Sequence, residues 1–217
     1  KVRIVREKGK PSSSFVSSLK YSELSKTLHN SGGDLIREYG TMAKLYPLLN
    51  PVINEMFFCN ILILVEGIED IAYITAQLML SNKMEQFRKN GCHIVPAGGK
   101  SNIIKLLAIA NLLKIPVFIV FDADTYKTKK EEIDKHKKDN KILLNLTGHE
   151  TENEWPTHTI WKDNMVMWKT EIGEIVKEEI GVKWQEYSNI SCARYDDTGD
   201  LQKNPLAIAC IVEQSFK

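Results

Sequence analysis

At 217 residues, 43% hydrophobic and 26% charged, the chain is long enough for one ordinary globular core plus a smaller appendage and needs no disulfide framework to fold. No run approaches the roughly 18 to 20 apolar residues of a membrane span, and the Lys/Arg-rich start meets Ser12 to Ser14 rather than a hydrophobic signal core, so a cytoplasmic, non-membrane protein is expected. The formal charge of +1, from 29 basic and 28 acidic residues, does not by itself mark a nucleic-acid binder.

Charge distribution says more than the total. Lys1 to Lys20 holds six basic residues and one acid, and Tyr126 to Lys141 holds seven lysines and four acids, two local excesses able to meet phosphates or simply to be solvated surface. The four cysteines, Cys59, Cys92, Cys192 and Cys210, share no C-x-x-C spacing and read as reduced thiols rather than zinc ligands.

In chain order, KVRIVREK reads as a strand that runs into the polar loop GKPSSS without closing a unit, as the end of something upstream would. From Tyr21 to Phe58 the pattern is helical, with Leu24, Leu28, Leu35, Ile36, Tyr39, Met42 and Leu45 recurring at helical intervals and Ser31-Gly32-Gly33, Pro47 and Pro51 as breaks. These segments are expected to pack beside a sheet. Ile61 to Val65 is a short β-branched run of the kind buried on both faces of a parallel sheet.

A helix follows to about Asn82, then a strand at His93 to Val95, a helix from Ile103 to Leu113 and a strand from Val117 to Phe121. The Lys-rich segment Lys129 to Lys138 is a third helix, leading to Ile142-Leu143-Leu144. Such alternation predicts right-handed βαβ units: an α/β fold with a doubly wound, mainly parallel sheet flanked by helices. After Asn145 regularity is lost, apart from a charged helix over Glu171 to Ile180 and an apolar one over Pro205 to Phe216. The expected division is an N-terminal strand and helical segment over 1–58, a core over 59–146, and a small helical appendage over 147–217.

In such sheets chemistry sits past the carboxyl ends of the strands. There this sequence places Glu66-Gly67-Ile68-Glu69-Asp70, Pro96-Ala97-Gly98-Gly99-Lys100-Ser101 and Asp122-Ala123-Asp124, all on one edge. Asp122 and Asp124, two apart in extended chain, leave one face with Ala123 on the other, and two carboxylates that close call for a hard cation such as Mg²⁺ or Mn²⁺. Gly67 lets the chain turn directly after Glu66, and Asp70 lies above Glu66 on the same side; an acid in a first helical turn is also favoured by the helix dipole alone. Gly98-Gly99-Lys100-Ser101 precedes a helix, where N–H groups attract anions, and reads either as a phosphate contact or as a tight turn with Ser101 as cap. A P-loop is disfavoured because Ile94 stands where that motif needs glycine.

An apolar strand ending in V-E-G, an acid four residues on, a glycine-bearing second loop and a strand ending in D-x-D resemble the Toprim fold of primases, topoisomerases and several nucleases. The stretch EMFFCNILILVEG is similar to the junction of overcoming-lysogenisation-defect (OLD) nucleases, which include the Gabija nuclease subunit, with Cys59 and Leu62 as departures. The resemblance covers roughly Pro51 to Asn145.

It implies a Mg²⁺- or Mn²⁺-dependent DNA endonuclease with two ions, cytoplasmic and of an anti-phage defence type. Glu66, Asp122 and Lys203 would be catalytic, and Glu66, Asp70, Asp122 and Asp124 would ligate metal. Gly98, Gly99, Lys100 and Ser101 would meet phosphate. Lys203-Asn204-Pro205 stands for the family's late lysine, whereas Val166 stands where a further acid is expected, leaving Asp163, Glu152 or Glu154 as substitutes. OLD proteins also carry an ATPase domain, which is expected upstream as a partner alongside DNA, and a homodimer is compatible with the reading. The rivals are a non-catalytic Toprim-like binding or dimerisation module and another Toprim enzyme of primase or topoisomerase type.

Overall fold

In the computed structural model, residues 2–7, 13–196 and 204–216 are described. The chain opens with two strands, β1 (Val2–Glu7) and β2 (Ser13–Ser18), paired antiparallel from Val2 opposite Ser18 to Glu7 opposite Ser13. The opening strand therefore has a partner: β2 takes up Ser13 and Ser14 from the end of the run read as a polar loop and continues through Phe15 and Val16.

Three helices follow, α1 (Tyr21–Asn30), α2 (Glu38–Leu45) and α3 (Pro51–Asn54), broken at the glycine pair and prolines as the sequence suggests. Leu24 and Leu45 are fully buried, but Leu35, Tyr39 and Met42 face solvent. The apolar stripe read over this segment is thus only half used.

The core is a five-stranded sheet in the order β4-β3-β5-β7-β6. Its first three strands are β3 (Ile61–Val65), β4 (Cys92–Pro96) and β5 (Val117–Asp122), linked by α4 (Ile68–Leu80), α5 (Met84–Lys89) and α6 (Lys100–Leu112). Helix α7 (Lys130–Thr147) carries straight on through Ile142, Leu143 and Leu144, which are buried.

The sheet does not end at residue 146. A short strand β6 (Ile160–Lys162) turns into β7 (Met165–Trp168), which pairs parallel with β5 from Ile119 opposite Met165 to Asp122 opposite Trp168, while β6 lies antiparallel at the edge. Helices α8 (Ile172–Ile180), α9 (Trp184–Arg194) and α10 (Pro205–Ser215) complete the chain. The region after 146 is therefore helical only beyond its contribution of two strands, too short and too polar at their flanks to be read from sequence periodicity.

Alternation along the strands splits the core between the two faces of the sheet. Leu62, Leu64, Ile119, Phe121, Met165 and Met167 face the cluster built with α1, α6 and α7. Val65, Val120 and Val166 face the other way, toward Ile71 and Ile74 of α4. Helices α4, α8 and α10 form a further apolar cluster around Tyr73, Ile172 and Ile208. The four cysteines are free thiols. Among the described residues no helix is long and apolar enough to cross a membrane.

Candidate metal centre

Four parallel strands, β4, β3, β5 and β7, put their carboxyl ends on one edge, and the acids stand there. Glu66 directly follows β3 and is held from two sides. Its carbonyl accepts from Gly98 N at 2.9 Å and Gly99 N at 3.0 Å, and its Oε1 accepts from Asp122 N at 3.0 Å. The glycine loop is thus a clamp on Glu66: both glycine donors, expected to face a phosphate, are spent on its backbone. Gly98 (φ +75°) and Gly99 (φ +112°) make this turn in a region that side chains disfavour.

Gly67 N donates to Asp70 Oδ2 at 2.8 Å, which ties the buried Asp70 into the first turn of α4. Dipole capping and site placement, read as alternatives from the sequence, are here one arrangement. Asp122 ends β5, with its Oδ1 shut off from solvent and without a hydrogen-bond partner among the described residues.

Asp124 does not continue the extended segment. Its backbone is left-handed (φ +59°), a region Asp tolerates better than most side chains, so strand alternation does not place it. An ion triad does. Lys100 Nζ donates to Asp124 Oδ2 at 2.8 Å, and His136 Nδ1 lies 2.9 Å from the same oxygen and 3.3 Å from Lys100 Nζ. Lys100 therefore turns to a carboxylate rather than outward to a phosphate, with only 5% of its side chain exposed. Ser101 is not the cap of α6; that position is Gly99, and Ser101 Oγ donates to Asp139 Oδ2 at 2.9 Å.

The electrostatics of the edge follow from burial without compensation. Burial raises Glu66 to about 7 against the pull of Lys100, with Asp124 and Asp70 adding to the rise. Burial also raises Asp70 to about 6, against the hydrogen bond from Gly67. Asp122 is pushed well above the carboxylate range, by burial first and then by Glu66, Asp70 and Asp124. Burial lowers His136 below the ordinary histidine value, against the opposing pull of Asp124.

Among the described residues no three His, Cys, Asp or Glu side chains are already gathered at ligating distance. The donor set nonetheless fits a hard cation: Asp122 Oδ1 is a buried oxygen with no donor, surrounded by carboxylates that repel it. Glu66, Asp70 and Asp122 would hold such an ion. Asp124 would join only by giving up Lys100.

Of the substitutes for the missing acid, none makes a side-chain contact at this edge among the described residues. Val166 is 2% exposed in the middle of β7, packed with Val65 and Val120, where a carboxylate would have no partner. Asp163 precedes β7 and so lies at the opposite end of the sheet. Glu152 pairs with Lys162. Glu154 approaches by its backbone alone, its carbonyl sharing the Asn140 amide with the Ala123 carbonyl at 2.9 and 3.1 Å. Lys203 lies outside the described residues.

Three further residues bear on this edge without a clear signal in the sequence. His136 and Asn140 sit one turn apart on α7, in line with buried Leu143 and Leu144, a stripe masked by the lysines around it. Glu171 follows the end of β7, the fourth parallel strand, and its Oε2 is within 3.5 Å of Tyr126 Oη. With Glu69, Glu174 and Tyr73 it lines a small cavity of about 60 Å³ beside α4.

The family model described as the overcoming lysogenization defect protein-like, TOPRIM domain matches residues 57–124. Residues 57–124 form an OLD-like Toprim region. The matched stretch begins at Phe57, just before β3, and stops on Asp124, so it contains Glu66, Asp70, the glycine clamp, Lys100, Asp122 and Asp124. No curated protein matches the chain. A Toprim domain of this kind is a nuclease-type module, and Toprim domains generally bind divalent metals. Strand β7, His136, Asn140 and Glu171 lie beyond the matched Toprim stretch and complete its edge.

Proposed function

We propose that the chain is a divalent-metal-dependent DNA endonuclease, cytoplasmic and working with an ATPase domain in a defence protein of the OLD type. The observation that carries the reading is the unpartnered, buried Asp122 Oδ1 among raised carboxylates at the sheet edge. Mg²⁺ or Mn²⁺, two ions by family resemblance, would supply a Lewis acid and an activated water. The chain's own groups do the rest. Asp122 and Asp70 offer the anionic pocket. Glu66, raised to about 7, can exchange a proton near neutral pH at Oε2, because Oε1 is held by Asp122 N.

Lys100 keeps Asp124 neutralised until the site is loaded, and Lys203 stands as the expected partner of transition-state charge. Lys100 and Ser101 still offer the first N–H groups of α6 to a phosphate, since these have no partner within the helix. Glu171, which follows the neighbouring strand β7, would fill the place where the sequence carries Val166 and offered Asp163, Glu152 or Glu154 as substitutes.

One observation favours the rival, a non-catalytic Toprim module: Asp124 already has its countercharge in Lys100. Supercoiled plasmid incubated with the purified chain separates the two. Nicked and linear products in Mg²⁺ or Mn²⁺, absent in EDTA and indifferent to ATP, support the nuclease. No product with either ion at high protein concentration supports the module.

A further inference from the structure

Between α1, α2, α6 and α7 there is a cavity of about 280 Å³ lined by none of the metal-edge carboxylates. Its floor is apolar, made by Leu28 of α1, Ile36, Leu45 of α2, Ile104 of α6 and Ile142 of α7. Its wall carries Lys44, Lys105, Lys135 and Lys138 against only Asp34 and Asp139, an excess of two positive charges. Lys138 is paired with Asp34 at 2.9 Å, and Asp139 already accepts from Ser101. Lys105 reaches Asn102 Oδ1 at 3.0 Å, whereas Lys44 and Lys135 form no ion pair among the described residues.

The walls are fixed before any ligand arrives. Gly33 N donates to the Leu28 carbonyl, Asn145 Nδ2 to the Ser31 carbonyl and Ser25 Oγ to the Ile36 carbonyl, so the loop from Ser31 to Ile36 is tied to α1 and α7. Two unpaired ammonium groups beside an apolar floor suit a ligand with a charged head and an apolar body. The head can be chosen by charge. A carboxylate would offset one of the two excess charges, whereas a phosphomonoester, at about −1.5 to −2 near pH 7, offsets both.

From this we infer that the cavity between α1, α2, α6 and α7 binds a small phosphomonoester with an aromatic or apolar body, the body on Leu28, Ile104 and Ile142 and the phosphate between Lys44, Lys105 and Lys135. The volume, just under the roughly 300 Å³ at the lower end of small-molecule sites, limits the body to one or two rings. Lys105 supports the assignment: burial and the charge of Lys44 hold its pKa below the ordinary lysine value, a cost that a bound dianion relieves.

The test uses the full chain in EDTA, which keeps phosphate from the metal edge, and titrates phenyl phosphate, phenol and inorganic phosphate by calorimetry. Phenyl phosphate should bind one to one and more tightly than either fragment. The double variant Lys44→Ala/Lys135→Ala, both exposed and outside the metal edge, should weaken it at least about tenfold with an unchanged melting temperature. Equal binding of phenol or of inorganic phosphate, undiminished binding to the double variant, or no binding at millimolar phenyl phosphate would each overturn the inference. So would a variant that loses affinity for duplex DNA while phenyl phosphate never bound, since the lysines would then be a duplex-binding surface. None of these outcomes depends on whether the chain cuts DNA.

Discussion

Lys100 Nζ ends 2.8 Å from Asp124 Oδ2, and this buried pair spans 24 positions of sequence to join the glycine loop after β4 to the turn after β5. Desolvating both charges is costly, so the pair stabilises little overall, but removing one partner strands the other. Lys100→Met should therefore destabilise the metal-free chain by about 2–4 kcal/mol, the remaining contact with His136 softening the loss. Because the freed Asp124 becomes available to a cation, millimolar Mg²⁺ should restore more melting temperature to the variant than it adds to the wild type. Equal gains in both would show that Asp124 takes no part in ion binding.

Asp122 makes the complementary case. Among the described residues its Oδ1 has no donor, so its charge is a liability in the metal-free state. Asp122→Asn keeps the shape and removes the charge, and should leave the metal-free chain at least as stable, by about 1 kcal/mol or more. The same variant should lose Mg²⁺-dependent stabilisation and plasmid cleavage together. A variant that still cuts at the wild-type rate would take Asp122 out of the site.

The raised carboxyls set the response to pH. A carboxyl whose folded-state pKa lies above its unfolded value binds its proton more tightly in the fold, so its contribution is fully present below the unfolded pKa and is lost as pH rises through the folded one. Glu66 moves from 4.5 to about 7 and Asp70 from 3.8 to about 6. In EDTA the unfolding free energy should accordingly fall between about pH 4 and pH 7, by an amount on the order of a few kcal/mol, and the melting temperature with it. Divalent ions need the deprotonated acids, so stabilisation by Mg²⁺ should grow over the same interval. Calorimetric melts at four pH values, with and without Mg²⁺, give both trends; a melting temperature that rises with pH in EDTA would contradict the assigned cause.

Asn140 tests how the edge is held. Fully buried, its Nδ2 bridges the Ala123 and Glu154 carbonyls and so ties the loop after β5 to the chain that leads into β6. Asn140→Ala should cost about 2–3 kcal/mol for two lost donors and a small cavity. Cleavage should drop further than the stability loss explains, because Ala123 sits between the two acids. A stable variant with unchanged turnover would make Asn140 a packing residue only.

Much of this protein is decided locally. The buried runs Ile61 to Val65 and Val117 to Phe121 form strands because unbroken β-branched and aromatic sequence leaves them nowhere else to bury both faces, and Glu66 and Asp122 stand at the sheet edge because they are the next residues. Asp70 follows from helix geometry. These features need only neighbours in sequence.

Other features needed the fold. Strand β7 is four residues long and is recognisable only once it lies against β5, which turns Val166 into core and brings Glu171 to the edge. The hairpin of β1 and β2 exists through pairing, and Lys100, His136 and Asn140 acquire roles only when α6 and α7 are laid beside the turn at Asp124. Backbone alternation and apolar periodicity record which side chains must leave water, whereas the partner of a polar group is fixed by contacts between distant segments. Only tertiary packing decided that the lysine beside the glycines would answer a carboxylate, and that Asp124 would turn left-handed to meet it.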